Sequence, residues 1–399
     1  MNVEVTLLVL SSLIIFSYGF DLFARRTKIP SVILLLATGV GLAYAGRALN
    51  INLAGIQQIL PLLGTVGLIL IVLEGALELK LDMDKRAIIR RASAAALAIL
   101  LGTAFAVAAV LFFVFEAGTW RLCLLHAIPF AIISSAVAIP SAGTLPAEQR
   151  EFVVYESSLS DIFGIVMFNF ILTNDTYPIG AFLTLGGSLV LIISLAFVFC
   201  LGLLFLLKSI RHKIKFLLII AMLVWAYSVG KYFHLPTLLI VLGFGLILNN
   251  AAAIPLRWFQ KHFMYTHFPH DLEQMHSFSG ESAFLVRTFF FLLFGIGIHV
   301  QQLQALNLWI ICGAMLLAIY LVRAAYLHLR QRALTTTSLF MAPRGLISIL
   351  LFLSIPQTER LSILDQNVLI LVVLATAALM TIGLLSARSS MAGDSNRVS

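Results

Sequence analysis

The sequence predicts an all-α integral membrane protein of about thirteen transmembrane helices, and three observations carry that expectation. Hydrophobic residues fill 61% of the 399 positions and charged residues only 11%, far below the roughly 25% of soluble domains. The apolar residues fall into runs long enough to cross a bilayer. The basic residues collect in alternate connections between those runs. Together these exclude a water-soluble globule.

Runs of about 17 to 25 residues without a solvated charge mark candidate spans. They lie near 3–20, 30–46, 56–76, 92–115, 121–140, 152–172, 179–207, 214–230, 235–252, 279–300, 307–329, 335–356 and 365–387. With the N-terminus outside, the odd-numbered connections and the C-terminus hold nineteen of the 26 Lys and Arg residues. The opposite connections hold Arg47, Arg121, Lys231 and Arg360, and Arg287, Arg323 and Arg344 fall within spans. An excess of Lys and Arg marks the cytoplasmic side, so the expected orientation is N-terminus out, C-terminus in. The net charge of +8 follows from this topology and from anionic lipid, and calls for no nucleic acid. Cys123, Cys200 and Cys312 sit far apart in apolar spans, with no disulfide framework or metal-ligand spacing. The first span lacks a basic flank and a small-residue cleavage site, so it is expected to be retained as a helix.

Two spans are interrupted. The fifth contains Pro129, Ser134, Ser135 and Pro140; the twelfth contains the run from Thr335 to Ser338, then Pro343, Arg344, Gly345 and Pro356. Proline removes a backbone donor, and such breaks are tolerated at membrane depth only where protein or a wet cavity surrounds them. The two spans are seven apart, an odd offset. Residues 1–172 and 214–388 are therefore expected to form two inverted-topology repeats joined by a linker helix at 179–207, followed by a short cytoplasmic tail at 389–399. Paired broken helices in such repeats point to a transporter's midplane site.

Asp161 stands close to the centre of the sixth span, where an ionisable group is expensive and is read as functional by default. Glu156 lies five residues earlier, about 140° around a helix, so the two carboxylates take different faces and different tasks. Ser157 and Ser160 bring hydroxyl oxygens near Asp161, and the breaks at Ser134 and Ser135 bring free carbonyls. Such an oxygen-rich site suits a small hard cation such as Na+. At that depth the carboxylate is neutralised by a proton or by a cation, but not by both. That competition is sufficient for exchange if the site opens alternately to each side. Arg344 is always protonated and needs a partner; Glu156 is the expected one. Asp161 alone would then cycle its charge, giving electroneutral exchange.

These residues resemble a known family. Glu156-Ser157-Ser158-Leu159-Ser160-Asp161 resembles the Glu-Ser-x-x-Asn-Asp signature of monovalent cation:proton antiporters of the sodium/proton exchanger type. Ala342-Pro343-Arg344-Gly345 resembles that family's Gly-Pro-Arg-Gly segment. Pro30 with Gly39 and Gly41, Leu73 to Leu79, and Phe289 to Gly295 resemble further stretches of it. The resemblance implies thirteen helices, a homodimer, a core domain moving against a dimer-forming domain, and a prokaryotic inner-membrane location. It also implies an aspartate, here Asp161, that carries Na+ (or K+ or Li+) or H+, and an ion pair between Glu156 and Arg344. Two positions depart from the pattern. Ser160 stands for the Asn, and Ser134-Ser135-Ala136 stands where the family has Thr-Asp-Pro.

Further candidates are Glu74, which could line a cytoplasmic funnel, and His262, His267, His270 and His276 in the expected loop 257–280, where histidines can sense pH. The Arg323 side chain either snorkels or pairs with Glu281. No cofactor motif is present. An intramembrane hydrolase would need opposed catalytic carboxylates or a Ser with a base, which no span supplies. The competing classes are a K+/H+ antiporter and a non-transporting sensor or scaffold; retention of three costly buried charges argues for transport.

Overall fold

The computed structural model describes residues 11–12, 14–20, 22–23, 31–48, 54–80, 83–174, 179–209, 215–232, 237–254, 257–297, 305–331 and 336–395. Among these the secondary structure is helical, with no strand. Six helices are long and apolar enough to cross a membrane, and four shorter apolar helical stretches accompany them. The chain is a multi-pass membrane protein.

The helices sort into two groups by what each packs against. One group holds α3 (Arg86–Ala109), the broken pair α4 (Trp120–Ala131) and α5 (Ser135–Ser141), α6 (Ala147–Thr173), α12 (Leu306–Tyr326), the second broken pair α13 (Thr336–Phe340) and α14 (Leu346–Ser354), and α15 (Gln366–Ser395). Within it α3 packs on α4, α6 and α12, α6 on α4 and α5, and α15 on α12 and α13. The other group holds α1 (Ser31–Ala48), α2 (Ala54–Glu78), α7 (Ile179–Ser209), α8 (Lys215–Tyr232), α9 (Thr237–Asn249) and α11 (Phe268–Ile296). Here α11 packs on α1 and α2, and α9 on α2, α7 and α8. The short α10 (Arg257–Phe263) rests on α7. The groups meet where α14 packs on α2, α2 on α5, and α9 on α6. The Tyr155 hydroxyl of α6 also donates to the Lys80 carbonyl after α2, at 2.7 Å.

Helix association in lipid rests on close packing and not on apolar burial, so small residues mark the tightest contacts. At the α1–α11 contact a Cβ on Gly295 would lie 2.6 Å from the Leu36 carbonyl oxygen and 3.0 Å from Cα of Gly39. Both obstacles are backbone and cannot rotate away. Gly295→Ala is therefore expected to cost about 1–3 kcal/mol, the range for overpacking. Gly41→Ala, which would meet nothing within 4 Å, is expected to be close to neutral; equilibrium unfolding of both variants in mixed micelles checks the contrast.

The sequence places both breaks in the right spans but not at the prolines of the fifth. Pro129 lies inside α4 and Pro140 inside α5, while the break falls at residues 132–134 between them. The expected loop 257–280 is instead helical over most of its length, because α11 starts at Phe268, well before its apolar stretch. Pro269 in the first turn and Asp271 near its start suit a helix N-terminus. The last helix likewise continues through 389–395, past Arg388, with residues 396–399 outside the described ones.

Candidate functional site

The site is built where the two breaks cross. Three consecutive backbone N–H groups in the first break have no helical acceptor, and each finds one elsewhere. Ile133 N–H donates to Ser160 Oγ at 3.0 Å, Ser134 N–H to the Pro343 carbonyl of the second break at 2.9 Å, and Ser135 N–H to Asp161 Oδ2 at 3.3 Å. Unpaired N–H groups at this depth would each be costly, so α6 and the second break supply the acceptors that keep the first break open. Gly345 permits the crossing: a Cβ there would collide with the Ser134 side chain. Its backbone is extended, with φ of −159°, so it is the close approach that calls for glycine.

Asp161 is buried, and its other oxygen, Oδ1, has no hydrogen-bond partner among the described residues. The Ser134 and Ser158 hydroxyls are also buried and unpartnered. That open carboxylate oxygen lies beside the buried N-terminal end of α5, whose first N–H is held by the other oxygen of the same group. Asp161 also places negative charge at the first turn of α5, where the helix end is positive.

The opposite helix end is treated in the complementary way. Arg344 is buried, and its guanidinium donates from Nε to the Phe130 carbonyl at 2.6 Å and from Nη1 to the Ala342 carbonyl at 2.8 Å, with Nη2 at 3.5 Å from the Ala131 carbonyl. Phe130 and Ala131 are the last residues of α4, so the arginine covers carbonyls that have lost their helical donors. The Arg344 N–H is taken by Thr376 Oγ1 at 3.0 Å.

Glu156 does not pair with Arg344. Its two oxygens accept from Arg323 Nη1 and Nη2 at 2.8 and 3.1 Å, in a fork fully enclosed between α6 and α12. Arg323 Nε donates in addition to the Ser338 carbonyl at 2.9 Å, which lies in α13 ahead of the second break. The physical reason is geometric: a planar guanidinium meets a carboxylate best through two parallel bonds, and Arg323 on α12 presents that edge to Glu156 while Arg344 is turned toward α4. Arg323 thus neither snorkels nor pairs with Glu281.

The other expected ligands separate. Ser157 donates to the Val153 carbonyl of its own helix at 2.8 Å and satisfies α6 internally. Ser160 reaches the break as an acceptor, Ser135 meets Asp161 through both its N–H and its side chain, and Ser134 meets the second break through its N–H. Glu74 lies in α2 against Gly280 of α11, with Arg287 nearby. Glu78, one turn further along in the same Leu73–Leu79 stretch, shares the same arginine. His262 sits on α10 against the Trp258 carbonyl, His270 contacts Gln274, His267 precedes α11, and His276 lies on it. Among the described residues no three His, Cys, Asp or Glu side chains gather to hold a metal. Beside these histidines, the Tyr265 hydroxyl donates to Asp271, and burial with that contact raises its pKa.

The model of the family described as "Sodium/hydrogen exchanger, transmembrane" matches residues 10–387. The chain belongs to that family. Its activity is therefore cation/proton antiport, and it is a transporter, not an enzyme. The structure is similar to that of the sodium proton antiporter MjNhaP1 from Methanocaldococcus jannaschii at pH 8, with a TM-score of 0.68, 20% identity, and 98% of each chain covered. It is also similar to an electron-microscopy structure of MjNhaP1, with a TM-score of 0.65, 19% identity, and 98% of this chain and 97% of that one covered. At these identities the likeness concerns the fold. No curated protein matches the chain in sequence.

Proposed function

We propose that this exchanger carries Na+ against H+ through Asp161, which binds either ion in competition, by alternating access around the crossing of its two broken pairs. The observation that carries this reading is the buried Asp161 oxygen that lacks a partner at the mouth of α5. The neighbouring Ser134 hydroxyl, equally unpartnered, is the nearest candidate for a further oxygen ligand. Glu156 is neutralised by Arg323, and Arg344 is held by carbonyls, so Asp161 is the charge left to cycle. That supports one-for-one, electroneutral exchange.

Each broken pair hands a main-chain carbonyl before its break to an arginine, Arg344 for the first and Arg323 for the second. This likeness supports thirteen spans in two inverted repeats, over about 1–172 and 214–388. The group with the breaks is then the moving core, and the group of α1, α2, α7, α8, α9 and α11 is the scaffold through which two copies would associate. The distribution of basic residues supports an orientation with the N-terminus outside, and the location proposed is a prokaryotic inner membrane. Glu74 and Glu78 suit the cytoplasmic approach to the site.

The test is cation-driven proton movement in sealed vesicles containing the purified protein. Na+ is expected to dissipate a preset pH gradient with the wild type and not with Asp161→Asn, while K+ and Li+ report selectivity. A gradient left intact by the wild type with every cation across pH 6 to 9 would reject the reading and favour a sensor or scaffold.

A further inference from the structure

A cavity of about 570 Å³ lies between the two helix groups, at the end of the bundle where α8 and α14 finish. Its volume falls in the range of small-molecule sites, about 300–1,000 Å³. Phe290 and Phe294 of α11 form one wall, their rings stacked at 5.7 Å, and Leu350 and Leu353 of α14 form the facing one. Two cations line the same cavity, Lys231 near the end of α8 and Arg360 in the connection after α14, and no described carboxylate does. Arg360 uses Nε and Nη2 on the Ile355 and Leu353 carbonyls, which fixes its position and, among the described residues, leaves Nη1 available.

This combination is wrong for a cation path. Lys231 and Arg360 repel Na+, and Asp161 does not line the cavity. An apolar slot with two positive groups and no compensating acid fits an amphiphile with an anionic head. For a chain embedded in a bilayer, that chemistry is met by a phospholipid. We propose that the cavity binds one anionic phospholipid, its phosphate at Lys231 and Arg360 and an acyl chain between the Phe290–Phe294 and Leu350–Leu353 walls. A lipid seated there is wedged between groups that must slide past each other if access alternates. Its binding, however, is independent of the assignment of Asp161.

Native mass spectrometry of protein released from nanodiscs containing equal phosphatidylglycerol and phosphatidylcholine tests this directly. The wild type is expected to retain one phosphatidylglycerol per chain in preference to phosphatidylcholine. Lys231→Gln is expected to lower that retention about fivefold, as loss of one basic contact to an anionic lipid implies. Leu353→Trp, which fills the slot without changing charge, is expected to abolish it in protein that still elutes as a single folded species. Equal retention of the two lipids, or retention unaltered by either variant, overturns the proposal. So does displacement by excess inorganic phosphate, which would mean a simple anion site with no role for the chain.

Discussion

Arg323→Met is expected to destabilise the folded protein by about 3–5 kcal/mol, the cost of leaving a buried carboxylate without its partner. Glu156 is buried, and among the described residues the cation donating to it is Arg323. The same substitution also releases the Ser338 carbonyl, so α13 loses its cover and the second break its anchor to α6. Adding Glu156→Gln to Arg323→Met is expected to recover much of the loss, because a neutral pair of similar volume avoids the stranded charge. A double-mutant cycle read by unfolding in mixed micelles measures the coupling. Glu156 and Arg344 share no hydrogen bond, and their cycle is expected to give a far smaller term. Equal coupling in both cycles would return the pair to the partner that the sequence motifs imply.

That exchange of partners shows where sequence reading stops. Hydropathy located most membrane helices because lipid demands long apolar runs, and the pairing of Pro with Ser and Thr located both broken spans because only such spans tolerate lost backbone donors. The burial of Asp161 was legible for a related reason: a carboxylate at midspan must find partners inside the protein, and here it meets the first break. The partner of Glu156 was not legible. Arg323 and Arg344 both lie within spans, and choosing between them requires knowing which edge each guanidinium turns to α6. The local hydrogen bond of Ser157 was equally hidden, since sequence does not say where a hydroxyl sends its proton, and here it goes to Val153. Four histidines read as a loop belong mostly to helical segments, because α11 extends beyond its apolar stretch as a half-buried amphipathic turn. Pro129 and Pro140 pointed to the neighbourhood of the break but not to its position, which is set by acceptors from residues Ser160, Asp161 and Pro343, distant in sequence.

Arg344 offers the second large effect, and its logic differs from that of Arg323. Its buried guanidinium has no carboxylate partner among the described residues, and its charge is spread over the Phe130, Ala131 and Ala342 carbonyls. Two of these close α4, where the helix end carries negative partial charge. With Asp161 at the start of α5, each open end at the first break then faces the charge it prefers. Arg344→Gln leaves at least two buried carbonyls without a donor, at about 1–3 kcal/mol each, and an expected total of about 3–5 kcal/mol. Arg344→Lys is expected to fall only partly short of the wild type, because one ammonium can cover the α4 end but not reach both chain segments. Thr376→Val, which removes a single acceptor from the Arg344 N–H, is expected to cost about 1 kcal/mol. Because the partners of Arg344 are main-chain atoms, no side-chain change supplies a matching neutral pair. Glu156→Gln should therefore restore stability to Arg323→Met and leave Arg344→Gln unrescued; rescue of Arg344→Gln by Glu156→Gln would show that the helix end is not what the arginine neutralises.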